Sequence, residues 1–222
     1  MIWLLTCEHY SNAVPFRFAE RFLNAIPVLE SHRGYDLKAA PLFIRLEPLF
    51  DQSFHYRYSR LLIDPNLPLT DNFLFSPITA HFSRKEKADL IHDYYHPYRS
   101  KVESFVRDYI EQGVLHISLH TYQPEIGTST QQTPIGLRFH MESTAEEKVA
   151  KQLEREIKRA APSSKVALQL PYKNTKTRFQ SYLRSCFSEN YIGIEIEVRN
   201  DVAMELRQPL FEALSNLRGV FD

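Results

Sequence analysis

Apolar residues fall in two rhythms along this chain: short unbroken runs, and recurrences at helical spacing. The first run, Trp3-Leu4-Leu5-Thr6, has no polar alternation, which predicts a strand buried on both faces. It stops on Cys7-Glu8-His9-Tyr10-Ser11-Asn12, an acid and a histidine followed by turn-favouring Ser and Asn. Val14 to Ile26 carries Phe18, Phe22 and Ala25 at a spacing that suits one helix face. A turn-rich connector, Ser31-His32-Arg33-Gly34-Tyr35-Asp36, precedes a helix predicted over Leu37 to Phe50, with Asp36 where an N-cap would stand. Phe54 to Ile63 has strand character, and an irregular stretch rich in Pro and Asn follows to Pro77. Ser83 to Tyr109 is mostly helical, with a break expected around His96-Pro97 because the residue before a proline avoids helical backbone.

Val114 to Leu119 is a second apolar strand, and it too ends on a histidine, His120. Thr121 to Pro134 is polar and predicts a mobile loop over the site. Ile135 to His140 is a short strand. Ser143 to Ala160 is a helix with a cap and acids in its first turn, Thr144-Ala145-Glu146-Glu147. A strand over Val166 to Leu170, a helix over Phe179 to Cys186, a strand over Tyr191 to Val198 and a helix over Pro209 to Leu217 complete the pattern. Strands and helices alternate at crossover spacing, which predicts an α/β fold with a mostly parallel sheet covered by helices. In such sheets the functional crevice lies beyond the carboxyl ends of the strands, where Glu8, His9 and His120 fall.

Composition narrows the class. The 222 residues suit a single domain spanning 1–222, large enough to bury a core without disulfide staples. Acids and bases balance at 27 each, so there is no broad attraction to nucleic acid or to an anionic membrane. No apolar run has the roughly 20 residues needed to span a bilayer, and the N-terminus lacks the features of an export signal. The two cysteines, Cys7 and Cys186, form no CxxC pair, which disfavours a cysteine zinc site and a disulfide framework. A cytoplasmic, reduced protein is expected.

Two buried strands that end on His9 and His120, with Asp36 at a helix start, supply donors that suit Zn2+: catalytic zinc commonly keeps three protein ligands and a water. Spacing alone is a weak signal, since nothing like HExxH is present, and each histidine taken singly reads more readily as a loop or core residue than as a ligand. His116 shares a strand face with His120 but lies deep in an apolar run, as a buried, hydrogen-bonded histidine would. The strand Ile192-Gly193-Ile194-Glu195-Ile196-Glu197-Val198 sets two carboxylates on one face of an otherwise buried-looking segment. It is either an edge strand with a wet face, or the source of a general base. Arg60, in Ser59-Arg60-Leu61-Leu62-Ile63-Asp64-Pro65-Asn66, is a candidate clamp for a substrate carboxylate or a structural partner of Asp64, and Arg138 is a second candidate clamp.

Taken together these segments resemble the N-formylglutamate amidohydrolase family. The resemblance rests on Thr6-Cys7-Glu8-His9-Tyr10-Ser11-Asn12-Ala13-Val14-Pro15, Ser31 to Asp36, Ser59 to Asn66, Tyr95-His96-Pro97-Tyr98, Ser118-Leu119-His120-Thr121 and Gly193 to Val198, in the family's order over nearly the whole chain. It implies a three-layer α/β/α sandwich with a mostly parallel mixed sheet, similar to zinc peptidases. It also implies one Zn2+ on His9, Asp36 and His120, with Glu197 as the catalytic glutamate and Glu195 as the alternative. The implied reaction is hydrolysis of a small linear amide bearing a carboxylate, with N-formylglutamate as the type substrate. Arg60, with Arg138 and Asn66, is expected to hold the substrate carboxylate. A peptidase or cell-wall amidase on the same metal core, and an inactive binding protein of the same fold, are the alternatives. Leu67 and Arg99 depart from the family's usual pattern near the presumed pocket.

Overall fold

The computed structural model describes residues 1–123, 133–169 and 178–221. Among the described residues, six strands form one sheet in the order β2-β1-β3-β6-β4-β5. They are β1 (Ile2–Cys7), β2 (Gln52–His55), β3 (Val114–Tyr122), β4 (Ile135–Arg138), β5 (Val166–Leu168) and β6 (Tyr191–Arg199). β2, β1, β3 and β6 run parallel; β4 is antiparallel to β6, and β5 is parallel to β4. The sheet is therefore mixed. The four parallel strands bring their carboxyl ends to one edge, where the candidate residues gather.

Side-chain alternation assigns each face its helices. Trp3, Leu5 and Cys7 of β1, Leu115, Ile117 and Leu119 of β3, and Ile194, Ile196 and Val198 of β6 share one apolar core. That core is closed by α2 (Ala39–Leu46), α5 (Thr144–Ala160) and α7 (Arg207–Phe221). α5 shows why the fit is good: Val149, Ala150, Leu153 and Ile157 make one stripe, and Ser143 accepts the Glu146 N–H to cap the first turn. The opposite face packs Leu4, Val114 and Tyr191 against α3 (Arg84–Leu90), α4 (His96–Tyr109) and α6 (Phe179–Cys186). Three layers result, as the sequence pattern and the family resemblance predict.

Several local expectations are corrected. The segment from Phe16 to Ala25 is a run of 3₁₀ turns, followed by the short α1 (Ile26–Leu29). The chain leaves the sheet at His55, so residues 56–63 are not strand; Ser59 instead donates to the Gly34 carbonyl at 2.8 Å and accepts from Leu61 N at 3.1 Å, which folds the segment into turns. The helical run is interrupted before Pro97 as expected, but by a π turn and not by a loop: Ile91–Tyr95 opens into the π turn, and α4 starts at His96 with the proline in its first turn. β3 continues through His120 to Tyr122, so His120 lies within the strand and not beyond it. The predicted loop over the site falls largely on residues 124–132, outside the described residues, as does the last residue of the strand expected to end at Leu170. β6 lies between β3 and β4, which removes the edge-strand reading of its glutamates. Among the described residues, no helix is long and apolar enough to cross a membrane.

Candidate metal centre

His9, Asp36 and His120 meet at the carboxyl edge of the sheet. All three are buried, and one ligand atom from each lies within 4.8 Å of the others. They come from three separate segments. His9 follows β1, Asp36 sits in the turn before α2, and His120 lies on β3. Asp36 is not the helix cap that its position suggests, because α2 starts only at Ala39. Its carboxylate turns inward instead: Oδ2 accepts from Thr121 N at 3.1 Å and lies 3.0 Å from His120 Nδ1. Oδ1 pairs with the Arg60 guanidinium and lies 3.7 Å from His9 Nδ1. The backbone reinforces this, since Asp36 N donates to the His9 carbonyl at 2.9 Å.

Both histidines present Nδ1 to Asp36 and turn Nε2 away. Each Nε2 finds its own carboxylate, Asp64 Oδ1 at 2.9 Å from His9 and Glu8 Oε2 at 3.3 Å from His120. Metal-bound histidines commonly give the hydrogen on the ring nitrogen that does not bind the metal to such a group, which fixes ring orientation and tautomer. The donor set therefore fits a divalent ion of the zinc type. Charge points the same way. Glu8, Asp36 and Asp64 contact the two histidines and a single guanidinium, Arg60, among the described residues. That leaves an excess of two negative charges in a nearly dry site, which protons on the histidines or one divalent cation would balance.

The ionisation equilibria reflect this crowding. Burial works against the charge of Asp36, but Arg60, His9 and His120 outweigh it and hold the carboxyl below the usual carboxylate range. Glu8 is likewise buried, and its bonds to His120 and Ser118 hold it low. Asp64 is lowered against burial by His9 and Arg60. Burial alone would depress His120, yet its bonds to Asp36 and Glu8 raise it well above an ordinary histidine.

Beside this group sits a second cluster, which pairs two carboxylates with two guanidinium groups among the described residues. Glu195 and Glu197 of β6 face Arg138 of β4, at 3.3 Å from each, and Arg178, at 3.1 and 3.4 Å. Strand register explains the placement: Glu197 pairs with His120 and Glu195 with Ser118. Glu197 is thus one step nearer the metal-ligand edge. Glu195 is pushed up by burial but lowered overall by Arg178 and Arg138.

The three residues expected to contact substrate are all engaged within the protein. Arg60 bonds Asp36 and the His32 carbonyl, not Asp64, while its buried Nε has no partner among the described residues. Arg138 lies between the glutamates. Asn66 ties two segments together: its N–H donates to Asp64 at 2.9 Å and its Oδ1 accepts from Phe179 N at 3.1 Å. His116 is the buried, bonded residue expected of it, and Cys7 lies on the opposite, apolar face with its thiol pushed up by burial.

Sequence reasoning missed Asp64 as a partner of His9, Glu8 as a partner of His120, and Tyr98, Ser118 and Arg178 altogether. For Glu8 a signal existed: two positions after Thr6, it continues the alternation of β1 onto the face that carries Ser118 and His120. Arg178 carries no comparable mark.

The fold and this donor set define an α/β/α protein with a buried His–Asp–His group able to hold a metal ion at its strand ends. The sequence profile of N-formylglutamate amidohydrolase matches residues 1–204. The chain belongs to the N-formylglutamate amidohydrolase family, and is a hydrolase of this fold. No curated protein matches it in a sequence comparison. Among solved structures, gene product Atu2144 from Agrobacterium tumefaciens is 19% identical with a TM-score of 0.79, over 99% of this chain and 90% of that one. That likeness establishes a shared fold. The N-acetylmuramoyl-L-alanine amidase from Clostridium difficile 630 is 13% identical with a TM-score of 0.45, over 99% and 95% of the two chains. A metallo-carboxypeptidase from Burkholderia cenocepacia is 11% identical with a TM-score of 0.43, over 100% of this chain and 57% of that one.

Proposed function

We propose that this protein is a metal-dependent amidohydrolase that cleaves the N-formyl or N-acyl amide of a small amino acid bearing a carboxylate, with N-formylglutamate as the type substrate. The convergence of two histidine Nδ1 atoms on Asp36, each ring held from behind by its own carboxylate, carries this reading. His9, Asp36 and His120 would hold one Zn2+. When bound, such an ion lowers the pKa of a coordinated water and polarises a carbonyl.

The chain's own residues divide the remaining work. Glu197, paired with His120 across the strands, takes the proton from the attacking water and returns it to the leaving amine. Arg138 and Arg178 counter the charge of the glutamate pair, so that the carboxylates sit side by side at tolerable cost. Arg60 stands beside Asp36 with its side chain partly exposed, a guanidinium suited to a substrate carboxylate. Asn66 holds the Asp64 loop to the start of α6, and with Arg138 completes the wall that positions the substrate.

Purified protein loaded with Zn2+ and tested on N-formyl and N-acyl amino acids, with release of free amine followed, tests the proposal. Turnover that disappears on chelation and returns with Zn2+ is expected. Undiminished turnover by metal-free protein sinks it, and activity confined to peptides or cell-wall fragments replaces the substrate class.

A further inference from the structure

Behind the His–Asp–His group the sheet is polar where a buried sheet is normally apolar. Thr6, Glu8, His116 and Ser118 lie there, all buried. Such groups are costly in an apolar interior unless each finds a partner. Here each does. Tyr191 Oη lies 2.6 Å from His116 Nδ1, and His116 Nε2 lies 2.7 Å from Thr6 Oγ1. Tyr98 donates to Glu8 Oε1 at 2.9 Å.

Donor chemistry sets the direction. An ionised carboxylate only accepts, so Tyr98 and Ser118 each give Glu8 a hydrogen, the phenol at Oε1 and the Ser118 hydroxyl at Oε2, 2.7 Å away. With its hydrogen on Glu8, Ser118 Oγ acts as an acceptor toward His120 Nε2, 3.1 Å away. Glu8 Oε2 itself lies 3.3 Å from the same nitrogen.

We propose that Glu8 is a positioning residue for His120, and that Tyr98 and Ser118 hold Glu8 in the orientation this requires. The inference rests on the metal-centre reading. Glu8 accepts but does not donate, and Ser118 turns a lone pair to the ring, so together they demand a hydrogen on Nε2 of His120 and leave Nδ1 as the metal-binding atom, on the side of Asp36 and His9. Hydrogen bonds that polarise one another strengthen each member, so the Tyr98 hydroxyl contributes to the grip without touching the ligand.

Titration of the metal-free full-length protein with Co2+, followed by visible absorption, tests this without relying on turnover. Glu8→Gln keeps the shape but offers an amide that can present N–H to Nε2. It is expected to weaken Co2+ binding by about 10- to 100-fold and to change the absorption bands. Tyr98→Phe removes one hydroxyl and leaves the ring; a smaller loss with the same spectral change is expected, and this variant carries the test if Glu8→Gln does not fold. Glu146→Gln is the control. Glu146 is another buried carboxylate, bonded to Gly193 N, Arg184 and His140 N, and its change is expected to lower thermal stability and leave Co2+ binding as it was. Wild-type affinity and spectra in both Glu8→Gln and Tyr98→Phe overturn the inference. Failure of the wild type to take up Co2+ or Zn2+ overturns the metal-centre reading first, and the inference with it.

Discussion

His120 and Glu197 are direct register partners across the parallel strands β3 and β6, and their side chains leave the sheet on the same face. This places a glutamate next to a candidate ligand without making it one. Glu197→Gln should therefore separate binding from chemistry. A fall in kcat of about 10²- to 10⁴-fold is expected, with bound metal per chain unchanged. Steady-state kinetics and elemental analysis on the same preparation check it. The same loss in Glu195→Gln, with Glu197→Gln active, would move the role one step down the strand.

Metal binding should compete with protons. Asp36 and Glu8 raise His120 well above an ordinary histidine, so the metal-free protein holds a proton on this ring more tightly than a free imidazole would. That proton must leave before Nδ1 can act as a ligand. Apparent affinity should rise with pH, about tenfold per unit for one released proton, through the neutral range. Calorimetric titration with Zn2+ in buffers of different ionisation enthalpy measures the release directly. A pH-independent affinity with no proton released would contradict the assignment.

His116 makes an opposite, purely structural contribution to pH dependence. Its pKa falls from the usual 6.5 to about 4, with burial the main cause. Below pH 6.5 the unfolded chain takes up a proton that the folded protein refuses. Stability is complete above 6.5, declines as pH falls toward 4, and levels off below that. The loss is on the order of 3 kcal/mol. Below about pH 4 the lowered carboxylates Asp64 and Glu195 extend the decline as they are protonated. Urea unfolding of wild type and His116→Gln at about pH 7 and about pH 5 tests the window. The variant should lose less stability between the two; parallel losses would count against it.

Gly34 should tolerate no side chain. A Cβ there would fall 2.2 Å from the Leu29 carbonyl oxygen, a contact that only backbone movement relieves. Gly34 also accepts the Ser59 hydroxyl and lies two residues before Asp36. Gly34→Ala is expected to cost about 2 kcal/mol or more of stability and to weaken metal binding together with it. Denaturant unfolding and metal titration of one preparation measure both. Unchanged metal affinity would show that the turn can move without moving Asp36.

The sequence by itself determined the layers and the edge on which the site lies. Mainly apolar runs at Trp3–Thr6 and Val114–Leu119 mark the central strands, and the polar residues that follow them fall at the carboxyl ends. The same local logic made Glu195 and Glu197 share a face. Tertiary structure alone decided who meets whom. Arg60 bonds Asp36, Asp64 bonds His9 across 55 residues, and Ser118 bonds Glu8 across 110. The antiparallel entry of β4, which sets Arg138 between the glutamates, was equally invisible. The reason is physical. Periodicity reports which side of an element is buried, a property of near neighbours. A hydrogen bond between distant segments depends on strand register and turn geometry, which only the packed sheet settles.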